Sequence, residues 1–134
     1  MEVLVKYESG FRFSAICKGY TVTTGRGEDG NKERDGMWPA QLFEASLGMC
    51  IGGYIAKFCK EQDIPYEDMT IELSRRTESE PSRTTRIDAR IHLNAKLSPE
   101  QKQGVLQAAD LCHITNSINE GMQIICTLVG DENG

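Results

Sequence analysis

The chain has little of what several large classes of protein require. Its 134 residues include only two histidines and one tryptophan, and acidic residues outnumber basic ones by 20 to 15, so the net charge is −5. No overall basic field is therefore available to attract nucleic acid or an anionic membrane. The hydrophobic fraction of 39% and the charged fraction of 26% are ordinary for a globular protein.

Motifs of common metal, nucleotide and hydrolase sites are missing as well. No Cys-x-x-Cys or His-x-x-x-His spacing exists, which argues against a metal site built from Cys112, His113, His92 and another cysteine. The chain also lacks a phosphate-binding glycine loop ending in Lys-Ser or Lys-Thr, and a Gly-x-Ser-x-Gly nucleophile motif. We therefore expect no metal and no cofactor.

The sequence also has little that would direct it to a membrane or out of the cell. Its first residues, MEVLVKYESG, lack the basic segment and longer apolar run of a secretory signal. The apolar stretch between Glu44 and Lys57 has 12 uncharged positions, fewer than the roughly 20 that a bilayer requires. These features predict a cytoplasmic protein, in which thiols stay reduced unless they cycle. The odd number of cysteines, five, argues against a closed disulfide framework.

Hydrophobic periodicity predicts one α+β domain over residues 1–134. Period-two alternation predicts strands over about 2–24 and a strand pair over about 68–95. Between them, the glycine-rich and charged residues 25–38 predict an exposed loop. Helices and a final strand, QIICTLV, are expected over about 98–129, where Ser-Pro-Glu-Gln at 98–101 is a capping box. This element order is typical of antiparallel sheets packed on helices.

A long helix is predicted from Pro39 to about residue 61. Apolar residues occupy every face of its central part, which predicts a helix that is buried all round. Its length of roughly 33 Å exceeds what so small a domain can enclose, so we expect a second subunit to cover part of it. The glycines at 48, 52 and 53 should let another backbone or a substrate approach beside Cys50.

Two of the five cysteines stand in settings that suit thiol chemistry. A free cysteine most often behaves as a small buried hydrophobe, and Cys17, Cys59 and Cys126 fit that interpretation. Cys50 lies midway along the long helix beside small residues. Cys112 ends a helical pattern and is followed at once by the polar or turn-forming string HITNS. The two are 62 positions apart, so only the fold could bring them together.

At these two cysteines the chain resembles the OsmC/Ohr family (osmotically inducible protein C and organic hydroperoxide resistance protein). Pro39, Leu42, Ala45 and Cys50 match the family pattern P-x-x-L-x-x-A-x-x-x-x-C, and the string Cys-His-Ile-Thr-Asn at 112–116 is similar to the family's C-P-V-S-N. The order of strands and helices agrees over nearly the whole chain. The resemblance implies an OsmC-like fold, with antiparallel sheets around a long central helix and two chains intertwined as a homodimer.

The resemblance also implies a function and roles for both thiols. Cys50 would attack an organic hydroperoxide and become a sulfenic acid, and Cys112 would resolve it as a disulfide that an external dithiol reduces. Because only a thiolate is nucleophilic, the attacking cysteine needs a nearby cation or hydrogen-bond donor. A resolving thiol prevents irreversible oxidation. Apolar neighbours, namely Phe43, Leu47, Met49 and Ile51, would bind the organic part of the substrate.

The chain departs from the better-known family members beside the first cysteine. Those enzymes place a glutamate just after the proline, where it holds an arginine against the thiol, whereas this chain has Ala40 and Gln41. Arg12 is the candidate substrate-binding arginine, and Arg26 in the glycine-rich loop is a second match. This difference leaves open an alternative function, a non-catalytic OsmC-like dimer that acts as a thiol redox sensor or binds a small apolar ligand.

Overall fold

The computed structural model describes residues 2–25 and 36–130 of the chain. The chain forms two compact units, Met1–Ser46 and Leu47–Gly134, and the long helix runs from the first into the second. In chain order the elements are β1 (Leu4–Ser9), β2 (Arg12–Cys17), β3 (Tyr20–Thr23), α1 (Pro39–Glu61), β4 (Met69–Glu78), β5 (Arg83–Leu93), α2 (Pro99–Asp110) and α3 (His113–Asn119). The predicted α+β class, with two antiparallel sheets, is confirmed.

The first unit contains a three-stranded sheet in the order β1-β2-β3. Lys18 and Gly19 form the two-residue turn between β2 and β3, with φ of 49° and 87°. Positive φ at both positions is the geometry that two-residue hairpin loops favour. The predicted exposed loop lies mostly at residues 26–35, which include Arg26 and fall outside the described residues. The chain on either side is joined by a hydrogen bond of 2.9 Å from the Gly25 N–H to the Met37 carbonyl.

Helix α1 begins at Pro39, as the sequence predicts. The Trp38 N–H just before it donates to the Gln41 side-chain oxygen at 3.0 Å, which satisfies one backbone donor at the helix start. Within the second unit, one side of α1 is buried through residues spaced four apart: Leu47, Ile51, Ile55 and Cys59.

The single chain leaves part of α1 exposed, so the predicted burial on all sides requires the second subunit that the length of the helix led us to expect. Met49 is 74% exposed, and Gly53 and Lys57 are also exposed. Helix α1 therefore carries apolar side chains on a face that remains exposed in the single chain. By length and composition α1 is also apolar enough to cross a membrane, a test that the core helix of a soluble protein passes equally well.

Strands β4 and β5 form an antiparallel hairpin whose apolar side packs on α1. Two of the helix glycines permit this packing. A Cβ added at Gly48 would lie 2.7 Å from the Leu73 Cδ1 atom, and one added at Gly52 would lie 3.2 Å from the Ile71 Cδ1 atom. These glycines thus face side chains of β4 rather than another backbone. At Gly53 an added Cβ would meet nothing within 4 Å.

The opposite side of the hairpin is charged and exposed. The ion pairs along the hairpin include Arg86–Asp88 at 2.8 Å, Arg83–Glu78 at 3.0 Å and His92–Glu72 at 3.4 Å. Each of these side chains is about half exposed, so solvent screens the pairs and each contributes little to stability. The charged side of the hairpin is therefore a solvated surface.

The capping box predicted at the start of α2 is present. The Ser98 hydroxyl accepts from the Gln101 N–H at 3.1 Å, and the Gln101 side-chain oxygen accepts from the Ser98 N–H at 2.9 Å. Within α2, Gly104 lies against the ring of Phe58 from α1, because an added Cβ would come 2.3 Å from the Cζ atom. The two helices are therefore close-packed at this point.

The end of the chain departs from the prediction at its final strand. Helix α3 spans His113–Asn119 and stops before Gly121, which has a φ of 77°. The predicted final strand is not formed. Residues 122–129 belong to no helix or strand, and Ile125 and Val129 are 81% and 86% exposed. A strand requires a neighbouring backbone to pair with, and the apolar alternation alone does not supply one.

Candidate active site

Helix α1 presents Cys50 on the side that faces the C-terminal helices. Cys50, Tyr54 and Phe58 are spaced four apart, so they share one face of the helix, and all three are partly buried against the core of the second unit. Phe58 lies against Gly104 of α2. The face that carries Cys50 is therefore turned toward the part of the chain that contains Cys112.

Cys112 lies between two helices rather than at the end of one. Leu111 closes α2, and Cys112 is the N-cap residue of α3. Its side chain is 0% exposed and belongs to the core cluster with Leu47 and Ile51 of α1. The polar string after Cys112 is therefore the first turn of a helix, and this explains why the expected turn-like region begins with a buried thiol.

The structure brings the side chains of Cys50 and Cys112 into hydrogen-bonding contact. Both cysteines are free thiols, and they belong to different helical segments of the same compact unit. A disulfide requires the two sulfur atoms to approach to about 2.05 Å. The 62-residue separation in sequence is thus closed by the packing of the C-terminal helices on α1.

The surroundings of Cys112 favour its thiolate. Burial is the largest single influence and would raise the pKa of the Cys112 thiol. Hydrogen bonding from the Thr115 side chain and backbone, from the Cys50 thiol and from the Ile114 backbone outweighs it, so the pKa lies below its ordinary value of 9.0. The thiol makes no regular capping hydrogen bond. A neutral sulfur accepts hydrogen bonds only weakly, so these donors stabilise mainly the thiolate of Cys112.

The three remaining cysteines differ from one another. Cys59 is fully buried, and burial raises the pKa of its thiol, as expected for a cysteine that serves as a core hydrophobe. Cys17 is only partly buried. Cys126 is exposed, so the expectation that it belongs to the core is wrong, because the strand in which it was predicted does not form in the chain.

Thr115 is a candidate functional residue that the sequence shows only as part of a polar string and a family motif. In the structure its hydroxyl is among the groups that lower the pKa of the Cys112 thiol. The available signal is spacing, because Thr115 stands three positions after Cys112, the N-cap residue of α3, and so lies in the same first turn. Cysteine is not among the usual N-cap residues, so the sequence alone does not mark this helix start.

The other candidate residues are less directly placed. Arg12 is partly buried in β2 of the first unit, where it interacts with other groups, and its role as a substrate-binding residue stays a prediction. His113 is exposed, as expected for a surface histidine. Across residues 2–25 and 36–130, no group of three or more His, Cys, Asp or Glu side chains is placed to hold a metal ion.

A family model decides the relationship of this chain to known proteins. The model described as "OsmC-like protein" matches residues 29–127. The chain belongs to the OsmC-like family. The match includes Cys50 and Cys112, so the resemblance seen at these two cysteines is confirmed at the level of the family.

Solved structures support the OsmC-like fold. An OsmC-like protein from Mycoplasma pneumoniae is 13% identical, with a TM-score of 0.76 over 90% of this chain and 87% of the other. A Psychrobacter arcticus protein, provisionally described as an osmotic stress induced and detoxification response protein, is 21% identical, with a TM-score of 0.78 over 87% of each chain. An organic hydroperoxide resistance protein from Legionella pneumophila is 19% identical, with a TM-score of 0.61 over 88% and 89%. No curated protein matches the chain significantly.

Proposed function

We propose that this OsmC-like protein is a thiol-dependent peroxidase that reduces organic hydroperoxides through Cys50 and Cys112. The observation that supports this most strongly is the contact between two free thiols carried by different helical segments. A structural similarity to a hydroperoxide resistance protein points to the same class of substrate. The proposed reaction needs no metal or organic cofactor, only an external dithiol.

The reaction would proceed in two steps at the cysteine pair. The Cys50 thiolate attacks one oxygen of the hydroperoxide, the O–O bond breaks, and the alkoxide leaves as an alcohol after taking a proton. Cys50 is then a sulfenic acid. The Cys112 thiolate attacks the sulfur of this acid, hydroxide leaves as water, and a Cys50–Cys112 disulfide forms. A dithiol finally reduces the disulfide and is itself oxidised.

Burial supports this division of roles. Cys50 is partly exposed, whereas Cys112 is 0% exposed, so a hydroperoxide arriving from solvent reaches Cys50 first. The lowered pKa of Cys112 suits a resolving thiol, because a larger thiolate fraction speeds attack on the sulfenic acid. Rapid resolution would keep Cys50 from the irreversible sulfinic stage.

The structure changes the expected substrate contacts. Leu47 and Ile51 are 6% exposed and belong to the core, so they are not available to bind the organic part of a hydroperoxide. Met49 is exposed beside Cys50 on α1 and keeps the proposed role. Its flexible, polarisable side chain suits organic groups of varied shape.

Peroxide consumption by cysteine variants tests the proposed function. We expect Cys50→Ser to lose all reduction of cumene hydroperoxide in the presence of dithiothreitol. Cys112→Ser should turn over briefly and then accumulate sulfinic acid at Cys50, detected by mass spectrometry. Cys17→Ser, which alters a free thiol at the end of β2, is the matched control and should retain activity. Equal activity in Cys50→Ser and Cys112→Ser would show that the roles are misassigned.

The proposed active form is a homodimer. The single chain leaves large apolar side chains exposed in its first strand, along α1 and in its C-terminal segment: Val5, Tyr7, Met49, Ile124, Ile125, Leu128 and Val129. Apolar surface of this extent marks a protein interface more often than free surface. Light scattering on the purified protein should give twice the mass of the chain, and a monomeric mass would contradict the dimer.

A thiol redox sensor is the second candidate function. It is favoured by Gln41, which stands near the position where well-known family members carry a glutamate and whose side-chain oxygen accepts a hydrogen bond from Trp38. A sensor would form the Cys50–Cys112 disulfide with peroxide but would turn over poorly with dithiols. Stoichiometric disulfide formation without sustained peroxide consumption would therefore favour the sensor.

A further inference from the structure

The two thiols of the proposed redox pair differ in accessibility. Cys112 is 0% exposed, whereas Cys50 lies partly exposed on α1. When a thiolate attacks a disulfide, one sulfur receives the new bond and the other leaves as a thiolate, so the outcome depends on which sulfur is reached and which leaves more readily. Accessibility favours attack at the sulfur of Cys50.

The surroundings of Cys112 suit the opposite role, that of the leaving group. A buried thiolate is unfavourable unless donors stabilise it. At Cys112 the Thr115 hydroxyl acts as such a donor, with the backbone groups of Ile114 and Thr115. Cys112 is the N-cap residue of α3, so the first turn of that helix places Thr115 three positions after it. The donor groups of Ile114 and Thr115 carry no charge.

We propose that a dithiol reductant attacks the Sγ atom of Cys50 and that Thr115 is a positioning residue that stabilises the departing Cys112 thiolate. This inference rests on the proposed Cys50–Cys112 disulfide. In the first step a reductant thiolate bonds to the Cys50 sulfur, the Cys50–Cys112 bond breaks, and its electron pair passes to the Cys112 sulfur. In the second step the other reductant thiol, as a thiolate, attacks its partner sulfur in the mixed disulfide and releases the Cys50 thiolate. The reductant leaves as a disulfide, and the protein regains two thiols.

The reverse order of attack is disfavoured by the same features. A reductant at the Cys112 sulfur would have to enter a fully buried site in the core cluster that contains Leu47 and Ile51. The thiolate released would then be that of Cys50, and the donors at Thr115 would not stabilise it. The attack at Cys50 therefore combines the accessible sulfur with the better leaving group.

Trapping of the mixed disulfide tests the site of attack without any substitution. The disulfide is formed with diamide, so no peroxide is needed, and is then treated with the monothiol 2-mercaptoethanol and quenched quickly with acid and N-ethylmaleimide. Peptide mapping by mass spectrometry should find the mercaptoethanol adduct on Cys50. An adduct predominantly on Cys112 would overturn the proposal.

Two matched variants test the role of Thr115. Thr115→Val keeps the shape of the side chain but removes the hydroxyl, and we expect the diamide-formed disulfide to be reduced by dithiothreitol roughly threefold to tenfold more slowly. Thr115→Ser restores the hydroxyl and should restore the rate to within about twofold. Thiolate absorbance at 240 nm, measured in a Cys50→Ser background, should show less thiolate at neutral pH in Thr115→Val, which a merely structural defect would not produce selectively.

The outcomes separate this inference from the proposed function. If the wild-type protein consumes no cumene hydroperoxide, the peroxidase function fails, but the adduct position and the Thr115 variants still decide how the disulfide is reduced. If Thr115→Val is reduced at the wild-type rate with unchanged thiolate absorbance, the role of Thr115 is refuted even in an active peroxidase.

Discussion

The contact between Gly104 and Phe58 gives the sharpest test of how the redox pair is assembled. A Cβ added at Gly104 would lie 2.3, 2.8 and 3.1 Å from three ring atoms of Phe58. Carbon atoms in contact are normally about 3.5–4.0 Å apart, so the ring or α2 must move to accept the methyl group. Such overpacking typically costs about 1–3 kcal/mol. Alanine gains up to about 1 kcal/mol over glycine from helix propensity, and we expect Gly104→Ala to lower the free energy of unfolding by roughly 1 kcal/mol.

A second substitution separates the steric effect from the intrinsic effect of alanine. In a Phe58→Leu background the ring is absent, so Gly104→Ala should become neutral or stabilise the protein by up to about 1 kcal/mol. The difference between the two backgrounds, a coupling energy of about 1–2 kcal/mol, is measured by urea denaturation of the four proteins, followed by circular dichroism. Equal effects of Gly104→Ala in both backgrounds, within about 0.5 kcal/mol, would refute close packing of α2 on α1.

The same two substitutions should also change the rate at which the Cys50–Cys112 disulfide forms, because α2 leads directly into Leu111 and Cys112. Displacing α2 moves Cys112 away from Cys50, and disulfide formation with diamide should slow in Gly104→Ala. It should recover in the Gly104→Ala, Phe58→Leu double variant. Recovery of stability without recovery of the disulfide rate would mean that packing at Gly104 does not set the position of Cys112.

Two further predictions concern stability alone. Ser98→Ala removes the N-cap of α2 and should cost about 1 kcal/mol in urea denaturation, whereas Ser98→Asn, which keeps a capping side chain, should cost much less; equal losses would show that the cap contributes nothing. Burial raises the pKa of the Cys59 thiol. The neutral thiol therefore contributes its full stability below the ordinary thiol pKa of 9.0, and this contribution is lost as the pH rises through the higher pKa of the folded state. Wild type should therefore lose more stability than Cys59→Ala between neutral pH and about pH 10, and an equal loss would contradict this linkage.

Local chemistry explains which parts of the fold were predictable. The capping box at Ser98 and the first-turn proline at Pro39 depend on neighbouring residues alone, and both helices begin where these signals place them. The two-residue turn at Lys18-Gly19 is a signal of the same kind. Strand pairing in both hairpins follows from alternation and short loops, so the α+β class was accessible from the sequence.

Features that depend on distant partners were predicted poorly. The apolar alternation of QIICTLV indicates a strand, yet residues 122–129 have no pairing partner within the chain and remain exposed. The apolar residues of α1 predict burial on every side with a second subunit covering part of the helix, and in the single chain Met49 is 74% exposed. In both cases the sequence shows an apolar surface but does not show whether the same chain covers it, which is why both regions support the proposed homodimer.

The candidate site was predictable from the sequence only in part. Family spacing identifies Cys50 and Cys112, but it cannot distinguish the environments of two identical side chains. That difference arises because Cys112 caps α3 inside the core, whereas Cys50 lies on a helix face that remains partly open. Burial at Cys112 would by itself disfavour a thiolate, so the donors at Thr115 matter more there than they would at an exposed cysteine. A chain with the same two cysteines but no hydroxyl at position 115 should therefore still form the disulfide but release Cys112 from it more slowly.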